Sequence, residues 1–131
     1  MSGSTDMVPS TEEYWEFVRS LRNDPILKKG FVDQKHINKE DHYKYMQIHH
    51  KDYFICLENN LPVGFVGCVK DDIRVAVLKS HSGQGLGKKM IKHIMALYPL
   101  AQAKVKINNK ASIKLFESCG FEKKFYLMEP K

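Results

Sequence analysis

The chain has 131 residues, 43% hydrophobic, 27% charged and 11% aromatic. That length suits one domain, and the apolar share is large enough for a packed core, which excludes wholesale disorder. No stretch approaches the roughly 20 apolar residues of a membrane helix. The polar opening Met1-Ser-Gly-Ser-Thr-Asp6 lacks the apolar segment of a signal peptide, so no membrane partner is expected and the cytoplasm is the expected location.

The 21 Lys and Arg against 15 Asp and Glu give a net charge of +6, which favours an anionic partner without identifying it. Cys56, Cys68 and Cys119 form no CxxC pair and read as reduced thiols. The six histidines include no HExxH, and the adjacent His49 and His50 cannot converge from one helix face. No metal site is expected.

The chain is expected to form one domain over 1–131, with 1–7 as a flexible tail. Ser10 and Glu13 are spaced as a capping box. Tyr14, Phe17, Val18 and Leu21 then recur at helical spacing, and Pro25 ends that helix. A second helix is predicted over 38–49, capped by Asn38, with Tyr43, Met46 and Ile48 facing inward. Three apolar runs, 53–57, 62–69 and 73–78, are separated by the turn residues Glu58-Asn-Asn60 and Lys70-Asp-Asp72, which predicts an antiparallel meander. A long helix follows, with Leu86, Met90, Ile94 and Leu97 on one face. After it come an alternating strand over 103–107, a helix over 110–119 closed by Gly120, and a last strand over 125–128. The predicted order is α-α-β-β-β-α-β-α-β, an α/β (α+β) domain.

Chemistry concentrates in Ser82-Gly83-Gln84-Gly85-Leu86-Gly87-Lys88, between a strand and a helix. A helix N-terminus offers unpaired N–H groups and partial positive charge, and glycines let a phosphate approach the backbone. Lys88, Lys89 and Lys92 add charge to the first turns. A Walker A loop would need glycine at Ser82 and a hydroxyl at Lys89. The dinucleotide fingerprint needs G-x-G-x-x-G and an acidic residue about 20 positions on, where this chain has Ile107. Neither nucleotide pattern fits.

The run Val75 to Gly87 resembles the fourth strand and pyrophosphate loop of the GNAT superfamily of acetyl-CoA-dependent N-acetyltransferases, with Gly85 and Gly87 on the family glycines. The run Asn109 to Phe121 is similar to a second family segment, N-x-x-A/S-x-x-L-Y/F-x-x-x-G-F. The resemblance implies a mixed, mostly antiparallel central sheet flanked by helices, with a short or absent first strand. It implies that Val75, Ala76 and Val77 meet the pantetheine and thioester of acetyl-CoA. Ser82, Gly83, Gln84, Gly85, Leu86, Gly87 and Lys88 would hold the pyrophosphate, and Asn109 the pantetheine arm. Phe116 stands at the family's tyrosine, whose hydroxyl often protonates the leaving thiolate, and Ser82 where the family has Arg or Gln.

A thiol titrates near 8.5, so releasing a bare thiolate at pH 7 costs roughly 2 kcal/mol, and a positioned acid is worth about 10²–10⁴-fold. Water, Tyr126, Ser118 or Cys119 are the alternative donors. A lysine-like amine at about 10.4 needs about 4.6 kcal/mol for deprotonation at pH 7, which argues for a base. The resemblance points to Asp71 or Asp72 at the start of the fourth strand, although hairpin aspartates are more often turn residues; His49, His50 and His81 are alternatives. The expected acceptor is a small-molecule amine. Leu21-Arg-Asn-Asp-Pro25 and Ile37-Asn-Lys-Glu-Asp-His42 resemble proteins of the family that acetylate nucleotide-linked amino sugars. Against that, Arg22-Asn23-Asp24 also reads as a plain helix cap. A protein or peptide amine, and a non-catalytic acyl-CoA-binding module, are the alternatives. No nucleic-acid partner is expected, because the basic cluster sits at a glycine loop. Members of the family often form homodimers, and no residue here specifies an interface.

Overall fold

The computed structural model describes residues 4–32 and 35–131. The chain opens on β1 (Thr5–Pro9), passes a 3-10 turn at Glu12–Tyr14, and forms α1 (Trp15–Arg22), α2 (Pro25–Lys28) and α3 (Lys39–His49). The meander β2 (Tyr53–Glu58), β3 (Leu61–Val69) and β4 (Asp72–Val77) follows, and then α4 (Leu86–Leu97) and α5 (Lys110–Ser118). The sheet order is β1-β2-β3-β4 with every neighbouring pair antiparallel. The predicted meander and the mixed, mostly antiparallel architecture are borne out.

Local chemistry sets the turns. Asn59 and Asn60 take φ of 52° and 67°, and Lys70 and Asp71 take 54° and 62°. Two consecutive positive-φ residues match the right-handed twist of hairpin strands, and Asn is the non-glycine residue that adopts them most readily.

Helices cover both faces of the sheet. Trp15, Val18, Leu21 and Met46 pack on Tyr53, Ile55 and Phe65 on one face. Met90, Ile91, Ile94 and Phe116 pack on Cys56, Val66 and Cys68 on the other. This double burial accounts for the near-continuous apolar run Val63–Val69, every residue of which is buried. Packing is close: a Cβ at Gly67 would lie 2.6 Å from the Tyr53 ring.

Several expectations need correction. Residues 5–7 of the expected tail belong to β1, which pairs Thr5 with Glu58 through Pro9 with Phe54. The sequence hides this strand because it is short and ends in proline, which an edge strand tolerates. The capping box does not form. Ser10 is buried with its Oγ unpartnered, and Glu13 instead accepts from Thr11 Oγ1 at 3.1 Å. Pro25 begins a further helix, capped by Asp24 Oδ1, which accepts from the Ile26 and Leu27 amides at 2.9 and 3.1 Å. Asn38 caps α3 as expected, accepting from the Asp41 amide at 2.8 Å. However, Tyr43 and Ile48 are exposed and His42 is buried beside Met46. Leu97 is also exposed.

Residues 103–107 form no ladder. A single parallel bridge joins Gln102 to Asp72, and Ala103 and Val105 pack on the α4 side of the core. Alternation reported a half-buried extended segment and carried no information about its hydrogen-bond partner. Residues 125–128 form no strand either, with Phe125, Tyr126, Leu127 and Met128 80–92% exposed.

Candidate active site

The bridge is where β4 parts from the segment after α4. The Ile73 amide donates to the Gln102 carbonyl at 2.8 Å, and the Gln102 amide donates to the Asp71 carbonyl at 2.6 Å. Peptide groups alternate sides along a strand. Since the Ile73 amide faces away from β3, those of Val75 and Val77 do so too, while Ala76 turns its carbonyl towards Gly64 on β3. No ladder partner covers that edge beyond the bridge among the described residues. Unpaired strand amides next to a cleft are ready donors for an extended ligand.

Down this edge the chain runs into the glycine loop. Gly83 and Gly85 have φ of 77° and 81°, and a Cβ at either would meet nothing within 4 Å. The backbone is thus bare to solvent at the start of α4, as close phosphate approach requires. Gly85 caps α4 without any side-chain cap, and the first helical bond runs from the Lys89 amide to the Gly85 carbonyl at 3.1 Å. The Leu86, Gly87 and Lys88 amides are therefore the unspent donors of the first turn. Ser82 donates its Oγ to the Lys79 carbonyl at 2.9 Å. Lys88 is exposed, but Lys89 is committed to β1, donating to the carbonyl and hydroxyl of Thr5.

Asn109 and Phe116 are built into the scaffold. Asn109 Oδ1 accepts from the Ser112 amide at 3.2 Å, capping α5, and Nδ2 donates to the Gly30 carbonyl at 3.3 Å. Phe116 is buried, edge-on to Phe121 with ring centroids 5.2 Å apart. Of the alternative proton donors, Ser118 gives its hydroxyl to the Leu115 carbonyl at 2.6 Å, Cys119 is buried, and Tyr126 is 80% exposed.

The two aspartates separate. Asp71 sits in the hairpin turn, exposed. Asp72 is half-buried and lines a cavity of about 280 Å³ with Tyr45, His49, Lys70, Arg74 and Lys104. Arg74 Nη1 donates to Tyr45 Oη at 3.0 Å, which shares a 2.7 Å hydrogen bond with Tyr53 Oη. Burial pushes the Tyr53 phenol far above its ordinary pKa. Burial works against the Arg74 charge, but the Tyr53 and Tyr45 hydroxyls and Asp72 beside it keep its pKa above the ordinary value. His49 lies tilted against Tyr45 with ring centroids 4.6 Å apart, and its Nδ1 is 3.6 Å from Asp52 Oδ2. Asp52 accepts from Tyr98, whose pKa burial and that bond push up to about 12. His50 and His81 lie outside the cavity, with Nδ1 on the Met46 carbonyl and beside Ser80 Oγ respectively.

Sequence reasoning missed Tyr45, Lys70, Arg74 and Lys104. A signal existed in Arg74, the one charge inside an otherwise apolar strand run. Asn23, Asp24, Asn38 and His42, the residues that suggested an acceptor site, all do scaffold work. Asn23 brackets Ile37 with hydrogen bonds to its carbonyl and from its amide, at 2.7 and 2.9 Å. His42 Nε2 faces the Trp15 carbonyl at 2.8 Å, so it carries the proton, and burial lowers its pKa.

The model of the acetyltransferase (GNAT) family matches residues 14–121, and the chain belongs to that family. A domain from Methanocaldococcus jannaschii superposes with a TM-score of 0.78 at 24% identity, covering 93% of this chain and 90% of that one. Spermidine N-acetyltransferase from Vibrio cholerae, solved with CoA and spermine, gives a TM-score of 0.81 at 14% identity, covering 96% and 85%. A protein of M. jannaschii is 29% identical over 130 residues, a match that takes in 86% of this chain and 27% of that protein. The chain thus spans little more than a quarter of that relative's length. No helix among the described residues is long and apolar enough to cross a membrane.

Proposed function

We propose that the chain transfers the acetyl group of acetyl-CoA directly to the primary amine of a small molecule. The observation that carries this reading is the uncovered edge of β4 leading into the bare glycine loop and uncapped start of α4, within the span matched by the family. In this reading the Val75 and Val77 amides hold the pantetheine and polarise the thioester carbonyl. Preorganised donors aimed at a developing oxyanion are usually the largest single catalytic contribution. The Gly83 to Lys88 backbone takes the pyrophosphate, and Lys88 adds charge.

Asp72 is the proposed base. It lies three residues from Val75, about 10 Å along the strand, so it receives the amine proton through water. The neutral amine nitrogen then bonds to the acetyl carbon, the carbon–sulfur bond breaks, the nitrogen gives its second proton to solvent, and the thiolate takes one from solvent. Phe116 offers none, and the roughly 2 kcal/mol cost of a bare thiolate is bearable. The proposed acceptor is a nucleotide-linked amino sugar, because the N-terminal segments resemble those of family proteins that acetylate such sugars. The CoA and spermine bound by the Vibrio cholerae enzyme support the general chemistry of cofactor and amine.

The test is release of CoA thiol from acetyl-CoA on addition of primary amines, beginning with nucleotide-linked amino sugars, with acetylated product identified by mass. Amine-dependent release supports the reading. The buried, hydroxyl-free Phe116 favours one rival, an acyl-CoA-binding module. Tight acetyl-CoA binding with no release across the panel would establish that rival.

A further inference from the structure

The cavity beside Asp72 has a charge pattern that acetyl transfer alone does not require. Its lining carries three cations, Lys70, Arg74 and Lys104, and a single carboxylate, Asp72. Arg74 and Asp72 are only loosely paired, with Nε 3.8 Å from Oδ2. The guanidinium is oriented from below by Tyr45, which receives Nη1 at 3.0 Å and lies under the cationic carbon at 6.0 Å. Tyr45 is itself fixed between Tyr53 and Arg22, whose guanidinium carbon is 5.3 Å from the ring centroid. A guanidinium has five N–H donors in a planar fork that matches an oxyanion, so donors remain for a ligand.

Resting on the acetyl-transfer reading, we propose that this cavity binds an oxyanion, phosphate or carboxylate, carried by the amine acceptor. Arg74 supplies the directional contact and Lys70 and Lys104 the surrounding charge. Asp72, on the same wall, faces the ammonium end through water, so the favoured acceptor carries both an amine and an anion. Arg–oxyanion contacts are charge-assisted and directional. The same cations repel a polycation: spermine, the ligand of the structurally similar Vibrio cholerae enzyme, is all ammonium and finds one carboxylate here against three positive charges.

Site-resolved ¹⁵N NMR on the full chain tests this. Saturating CoA first occupies the glycine loop, read on the Gly83 to Lys88 amides. Inorganic pyrophosphate, inorganic phosphate and malonate are then titrated separately, read on the Arg74 Nε–H and the Asp72 and Tyr45 amides. The expected result is saturable shifts confined to the cavity for at least one anion, and none with spermine. The tighter of phosphate-type and malonate binding names the source of the oxyanion. Arg74→Gln should weaken the binding at least 10-fold with CoA affinity unchanged. The surface double variant Lys70→Gln/Lys104→Gln, which leaves the tyrosine network intact, should weaken it several-fold. Silence of the cavity at 50 mM anion, or binding indifferent to both variants, overturns the proposal. A loop that ignores CoA beside a responsive cavity overturns acetyl transfer and leaves the oxyanion site standing. A responsive loop beside a silent cavity does the reverse.

Discussion

The Ile73 amide meets the Gln102 carbonyl at 2.8 Å, and strand pairing on that side of β4 ends there. One residue further towards the loop, no described residue pairs with that edge. This contact fixes where the unpaired edge begins, with Asp72 at the bridge and the Val75 and Val77 amides beyond it.

The positions of the two aspartates give opposite expectations. Asp72→Asn removes the proposed base and should lower kcat/KM by about 10²–10⁴-fold, with KM for acetyl-CoA unchanged. Asp71→Asn should leave activity and stability as they are, because Asn accepts the positive φ of 62° at least as well as Asp. Steady-state kinetics on the two variants decide between them. Equal losses, or none in Asp72→Asn, would remove Asp72 from the mechanism.

Phe116 is a packing residue here, buried and edge-on to Phe121. Phe116→Leu should cost roughly 1–2 kcal/mol of stability, as shape changes in a core do, while turnover per folded molecule is retained. Urea unfolding and thiol-release kinetics on the same preparations measure both. Loss of turnover without loss of stability would give Phe116 a direct role instead.

His42 couples acid to stability. Burial lowers its folded pKa, whereas an unfolded histidine titrates near about 6.5. Below that pH the unfolded chain binds a proton that the folded chain refuses, so stability falls as pH falls, by at most about 1.4 kcal/mol per pH unit for one proton. His42→Gln keeps an N–H for the Trp15 carbonyl and removes the titration. Denaturant unfolding at pH 7.5 and 5.5 should show a smaller acid loss in the variant than in the parent; equal losses would contradict this.

Gly67 lies against the fully buried Tyr53 ring, with 2.6 Å available to a Cβ. Gly67→Ala should therefore destabilise by about 1–3 kcal/mol through overpacking, read as a lower Tm.

The residue pattern carried the meander, α4, α5 and the glycine loop, because each is marked by contiguous local chemistry: paired turn residues, an apolar helical face, positive-φ glycines. It did not carry β1, whose five residues earn their strand only by pairing with β2 45 or more positions away. It also overcalled 103–107, where Ala103 and Val105 show the burial of a strand without its partner. The loop half of the site was legible for the same local reason. The cavity was not: Tyr45 comes from α3, Arg74 from β4 and Lys104 from beyond α4, and only the tertiary fold joins them.

In the proposed reaction the loop opening α4 holds acetyl-CoA. Calorimetric titration of acetyl-CoA into the wild-type chain and into Gly87→Glu tests it most directly. The glutamate puts a carboxylate at the second helical position, and its Cβ meets the flexible end of Leu115 at 2.9 Å, so circular dichroism should show the fold retained. Micromolar binding to the wild type is expected, weakened at least 10-fold in the variant. No binding to the wild type at millimolar ligand, or equal binding to a folded variant, would show that the loop does not hold the cofactor.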